Sequence, residues 1–152
     1  MKLSEIKPVT TVTGFYKKAW NASFLKCAVD CHGETFLTLW NWMFTILGLN
    51  SSCVNYHYQP AFYSNLWIAP REFAIPYCKI ARHVIDAMKA PPPEIRDLLW
   101  MDSRYNGSIK KETLQAHFDL PYYPFHAFLL ERLVIAMADL WTRNAAPDLF
   151  RV

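Results

Sequence analysis

The sequence predicts a mainly α-helical protein with one transmembrane helix followed by a small helical domain. Residues 35–70 form a run of 36 residues without Asp, Glu, Lys or Arg. Apolar residues recur at helical spacing in residues 72–89 and again in 125–143. We therefore expect three regions: an N-terminal arm with an amphipathic helix (1–34), a transmembrane helix with an aromatic interfacial segment (35–70), and a small soluble helical domain (71–152).

The N-terminal arm should be extended at first and helical afterwards. Pro8 and the β-branched residues that follow it disfavour helix in residues 1–13. Residues 15–30 have apolar side chains near helical spacing, with three lysines on other faces. A short basic amphipathic helix that precedes a span often lies at the membrane surface.

The uncharged run predicts the span itself. Residues 35–54 number about 20, which is the length that a helix needs to cross roughly 30 Å of hydrocarbon. Residues 55–70 are rich in Tyr, Trp, Asn and Pro, and aromatic residues of this kind gather at the headgroup level of a bilayer. The alternative is a buried core helix in a soluble domain. Residues 36–49, the densest apolar part, number only 14 and include Asn41 and Gly48.

The C-terminal region has the composition of a water-exposed domain. Residues 71–152 contain 11 basic and 10 acidic side chains. We predict helices over residues 72–89, 94–101 and 125–143, with Pro76 in the first turn of the first helix. The triple proline at 91–93 should end that helix.

Between the last two helices, residues 97–118 carry a loop motif with an acid and an Asn-Gly pair. Asp102 stands at a first ligand position, Asn106 at the fifth, Gly107 at the sixth and Ile109 at the eighth. This pattern resembles the EF-hand calcium loop, in which Gly at position six allows a sharp turn. The resemblance implies a helix–loop–helix unit. An ordinary Asn-Gly turn is the alternative.

The same loop departs from the EF-hand pattern at the positions that hold calcium. Arg104 replaces the third ligand, Lys110 occupies the ninth position, and Thr113 stands where a bidentate Glu belongs. Cations at ligand positions repel Ca²⁺. We therefore expect a degenerate EF-hand-like unit in which Asp102, Asn106 and Gly107 bind no metal.

The remaining sequence predicts no catalytic or cofactor-binding residue. With only four glycines and no phosphate-loop motif, nucleotide chemistry is not indicated, and a net charge of +3 does not favour nucleic acid. His57 lies beside the expected span and could meet haem or a quinone, and an ordinary interfacial histidine is the alternative. The cysteines lack CxxC spacing, and a disulfide or free thiols both remain open; they are Cys27, Cys31, Cys53 and Cys78.

These features favour a non-catalytic accessory subunit of a multi-subunit membrane complex, acting in assembly or structural stabilisation. Aromatics make up 16% of residues and charged side chains 19%, a balance suited to contact with other subunits and the lipid bilayer. By analogy of architecture, the complex would be a respiratory-chain or ATP synthase complex of the mitochondrial inner membrane. The alternatives are an EF-hand-derived, calcium-responsive regulator and a small haem- or quinone-associated redox protein.

Overall fold

The computed structural model describes residues 13–14, 23–57, 67–105 and 109–151. This part of the chain forms six α-helices, two short strands and two 3-10 turns. In chain order they are β1 (Thr13–Gly14), α1 (Phe24–His32), α2 (Glu34–Ile46), a 3-10 turn (Ser51–Cys53), β2 (Trp67–Ile68), α3 (Arg71–Lys89), α4 (Pro93–Leu99), α5 (Lys111–Phe118), α6 (His126–Thr142) and a 3-10 turn (Pro147–Phe150). The prediction of a mainly α fold is confirmed.

Two local signals delimit α1. The hydroxyl of Ser23 accepts a hydrogen bond from the backbone N–H of Lys26 at 2.9 Å, which satisfies a free donor of the first turn. At the other end, Gly33 has φ +79° and its N–H donates to the carbonyl of Val29. Positive φ strongly favours glycine, so Gly33 can serve as the single residue between the end of α1 and the start of α2. Residues 15–22 of the expected amphipathic helix lie outside the described residues.

The predicted transmembrane helix over residues 35–54 is wrong. The helix that forms there, α2, has 13 residues, which is about 20 Å at 1.5 Å per residue and short of a bilayer core of about 30 Å. It ends before Gly48, which has φ +68°, and Asn50 then caps a separate 3-10 turn. Across the described residues, every helix is too short or too polar to span a bilayer.

Burial inside the protein explains why α2 has so few charges. Five of its side chains are buried at helical spacing, and together they form one face that packs into the core; they are Phe36, Leu39, Trp40, Met43 and Phe44. Its exposed face carries Thr38, Asn41 and Thr45 in place of ions. The alternative of a buried core helix describes this segment. The expectation of a mitochondrial inner-membrane location was based on a span in this segment, and α2 does not provide one.

The central helix of the core is α6. Every residue from 132 to 140 is buried, and α6 contacts both α2 and α3. The sequence pattern places Arg132 and Asp139 on an outer, polar side, but the structure buries both, with 6% and 0% of their surface exposed. Asp139 accepts hydrogen bonds from Arg143 Nε at 2.7 Å and from the backbone N–H of Asn55 at 2.8 Å. A buried carboxylate needs such partners.

Helix α3 completes the core with an amphipathic face. Its apolar stripe is buried as the periodicity predicts; the stripe includes Phe73, Tyr77, Ile80, Val84 and Met88. The expected position of Pro76 in the first turn is wrong, because α3 begins at Arg71 and Pro76 lies inside the helix. Beside it, β1 and β2 form a short antiparallel ladder that pairs Thr13 with Ile68. One hydrophobic core is therefore shared by helices from both sides of residue 70.

Candidate functional site

The segment that links α4 to α5 displays apolar side chains to solvent. Of the six large hydrophobic residues that are exposed in the described part of the chain, four lie here, each with 46% to 51% of its surface accessible; they are Trp100, Met101, Tyr105 and Ile109. We call residues 100–109 the Trp100 loop; residues 106–108 lie outside the described residues. A concentration of exposed apolar groups is characteristic of an interaction surface.

Backbone hydrogen bonds hold the first half of the Trp100 loop against the segment that enters α6. The N–H of Phe125 donates to the carbonyl of Leu99 at 3.1 Å, and the N–H of Ser103 donates to the carbonyl of Tyr123 at 3.0 Å. The hydroxyl of Tyr122 donates to the carbonyl of Trp100 at 3.0 Å. The backbone that carries Trp100 and Met101 is therefore held against this segment.

The imidazole of His32 contacts the backbone of the loop from the protein interior. Its Nδ1 atom lies 2.8 Å from the carbonyl oxygen of Ser103, and only 2% of the residue is exposed. The ring packs against aromatic neighbours, with a centroid distance of 4.5 Å to Phe128. Burial lowers the pKa of His32, although the bond to Ser103 acts in the opposite direction. Because a carbonyl only accepts, Nδ1 carries the proton and donates it.

The Asp102 side chain stabilises the conformation of the loop. The Asp102 carboxylate accepts a hydrogen bond from the backbone N–H of Arg104 at 2.8 Å, and Arg104 has φ +61°. Asn106 and Gly107, the other two expected loop positions, lie outside the described residues. Where side chains are described, no three His, Cys, Asp or Glu residues gather closely enough to hold a metal ion. The EF-hand resemblance stays a prediction.

A groove of about 440 Å³ opens beside the loop, between α3, α4 and α6. Four of its eight lining residues are aliphatic, sulfur-containing or proline side chains: Ile85, Met88, Pro91 and Leu130. The rings of Trp100 and His126 also line it, with centroids 4.8 Å apart. We call this cavity the Trp100 groove.

The charge that faces the Trp100 groove is positive. Lys89 and Arg96 line it, and no described Asp or Glu does. Lys89 Nζ lies 2.7 Å from the Asp86 carboxylate, so its charge is shared. Arg96 forms no ion pair with any described residue, which leaves a guanidinium at the rim. Burial lowers the pKa of His126, which favours its neutral form.

A second cavity of about 430 Å³ lies next to the Trp100 groove and shares Ile85 and Leu130 with it. Trp67, Tyr77 and Ala81 form the rest of its wall. The two cavities therefore follow the same side of α3.

The other candidates from the sequence lie apart from this site. His57 is exposed, and its backbone N–H donates to the Asn55 side chain at 3.1 Å. An exposed imidazole lacks the enclosing apolar wall that a haem or quinone needs. Cys27 is buried, Cys31 is exposed, and none of the four cysteines, all of them described, is in a disulfide.

Sequence reasoning did not single out the two residues that organise the site. His32 meets Ser103 across 71 residues of chain, and no local spacing indicates such a contact. For Trp100 a signal was present: Trp100-Met101 is an apolar pair that directly follows α4 and precedes a polar loop. The predicted helix over residues 94–101 included both residues, so their exposure was not predicted.

Comparison with known proteins identifies no relative of this chain. No protein-family model matches the sequence, and no curated protein or solved structure is significantly similar to it. The fold and the site therefore define only a broad class: a mainly α-helical protein with an exposed aromatic loop beside a cationic groove.

Proposed function

We propose that this chain is a non-catalytic accessory subunit of a multi-subunit assembly and that it binds a partner protein through the Trp100 loop. The observation that carries the proposal is the exposure of Trp100, Met101 and Tyr105 within one short segment of the loop. Trp and Tyr supply large apolar contact areas and are enriched among the residues that dominate binding energy.

The rigidity of the loop supports the same role. Ser103 holds the loop backbone twice, through its N–H to Tyr123 and through its carbonyl to His32. A segment that is already ordered loses less conformational entropy on binding, so more of the contact energy contributes to affinity. The proposal concerns protein contact and requires no membrane span.

Native-gel migration of the protein from its own cells, followed by mass spectrometry of the band, tests the proposal. The informative variant is Trp100→Ala combined with Met101→Ala, because both side chains are about half exposed and neither belongs to the core. The matched control is Ile75→Ala, which removes an exposed apolar side chain from α3, far along the chain from the loop.

We expect the wild type and Ile75→Ala to migrate with a larger assembly, and the loop variant to be released from it. Loss of a Trp-centred contact weakens binding by about 2 kcal/mol or more. Circular dichroism should show the same helical content for all three proteins. A wild type that migrates as a free chain, or a loop variant that stays in the assembly, would contradict the proposal.

A further inference from the structure

We propose that the Trp100 groove binds a monoanionic amphiphile with a linear apolar tail, of the fatty-carboxylate class. Two observations lead to this ligand: the groove has an aliphatic wall, and the charged residues among its described lining residues are both cations, Lys89 and Arg96. The inference concerns a small molecule and does not depend on the protein partner proposed above.

The size of the groove fits a small ligand. Its volume of about 440 Å³ lies within the ~300–1,000 Å³ typical of small-molecule pockets. An α-helix with its side chains is about 10–12 Å wide and would rest on such a groove instead of filling it. A polymethylene chain is narrow and adapts to an irregular apolar wall.

Two neighbouring apolar cavities along α3 provide space for the tail. Ile85 and Leu130 line both the Trp100 groove and the neighbouring cavity, which extends to Ala81 and Tyr77. From Tyr77 to Met88 the α3 axis advances roughly 16 Å at 1.5 Å per residue. A tail of about ten carbons can therefore lie along α3 with its methylenes out of water, and each buried methylene raises affinity by roughly fourfold.

The carboxylate head belongs at Arg96. Its guanidinium has no ion pair with a described residue, whereas Lys89 is held by Asp86. A guanidinium offers two parallel N–H donors that match the two oxygens of a carboxylate. Trp100 and His126 line the same groove as this cation and the aliphatic residues, so an amphiphile finds both a cationic partner and an apolar wall there.

Isothermal titration of the full chain with octanoate, decanoate and dodecanoate, each below its micellar concentration, tests the inference. The informative variant is Arg96→Glu, and Arg96→Gln is its charge-neutral companion. The matched control is Lys79→Glu, which makes the same charge reversal at an exposed position of α3 outside the groove. Decanol serves as the neutral analogue of decanoate.

We expect saturable 1:1 binding that strengthens with tail length by up to about fourfold per methylene. Arg96→Glu should weaken decanoate binding at least about tenfold, Arg96→Gln less, and Lys79→Glu by less than about twofold. Decanol affinity should be the same in all variants. The inference is overturned by an absence of saturable binding, by equal losses in Arg96→Glu and Lys79→Glu, or by Arg96-dependent binding to phosphatidylglycerol vesicles without binding of monomeric decanoate.

Discussion

The Nδ1 atom of His32 lies 2.8 Å from the carbonyl oxygen of Ser103 and joins the end of α1 to the Trp100 loop. The contact is buried, and the imidazole also packs against Phe36 and Phe128. One side chain therefore fixes both a core position and the backbone of an exposed surface. Stability measurements can address the two roles separately.

Replacing His32 by Phe should retain much of the packing but remove the hydrogen bond. The carbonyl of Ser103 would then lose a buried partner, and an unsatisfied buried polar group costs about 1–3 kcal/mol. We expect urea unfolding to show a loss of this size, with faster hydrogen exchange at the amide of Ser103. The control His57→Phe alters an exposed residue and should leave both quantities unchanged. Equal stabilities of the two variants would contradict this role for His32.

The protein should lose stability as the pH falls from about 7.5 to 5.5. Burial lowers the folded-state pKa of His32 below its ordinary value of 6.5, and burial lowers that of His126 in the same way. In this range the unfolded chain binds more protons than the folded chain, so the free energy of unfolding decreases as the pH falls through 6.5 toward the folded-state pKa. Urea titrations at the two pH values measure the difference. His32→Phe should show a smaller difference than wild type, and an equal one would disprove the assignment to His32.

The ion pair between Arg143 and Asp139 should be important for stability because one of its two partners is fully buried. Asp139 is fully buried, whereas the Arg143 side chain is 40% exposed. Arg143→Met leaves a buried carboxylate with the N–H of Asn55 as a remaining partner, and we expect a loss of about 2–3 kcal/mol, below the upper range for fully buried pairs. Thermal and urea unfolding measure it. Adding Asp139→Asn should recover part of the loss, and strict additivity of the two substitutions would argue against their coupling.

Gly33→Ala should be more damaging than Gly48→Ala. Both glycines have positive φ, which disfavours a side chain by about 1 kcal/mol. Gly33 also has ψ −179°, a combination that essentially only glycine adopts and that costs another residue about 1–3 kcal/mol. A Cβ at Gly33 would also lie 3.3 Å from Arg104 Nη1, whereas a Cβ at Gly48 meets open space. Urea unfolding of both variants gives the difference. In an Arg104→Ala background the gap between the two alanine variants should narrow but not close, because the backbone strain at Gly33 remains. An unchanged gap would show that the Arg104 contact does not contribute to it.

Periodicity in the sequence was sufficient for the two longest helices. The predicted helices over residues 72–89 and 125–143 correspond to α3 (Arg71–Lys89) and α6 (His126–Thr142). Each has several turns of apolar residues at one spacing, and such a pattern leaves few alternatives. The same pattern did not reveal that Arg132 and Asp139 are buried, because burial depends on what surrounds α6 on its other side.

The sequence by itself determined that the chain is mainly helical, that α3 and α6 contribute apolar faces to a core, and that residues 36–49 are densely apolar. Only the tertiary structure decided whether the apolar side chains of that segment contact lipid or protein. The apolar face of α2 packs against other helices of the same chain, and its neutral Thr and Asn side chains face outward. A lipid tail and a leucine side chain are equally apolar, so composition alone cannot distinguish a bilayer from a core. The site was decided at the same level, because His32 and Ser103, or Trp100 and His126, meet only after distant segments fold together.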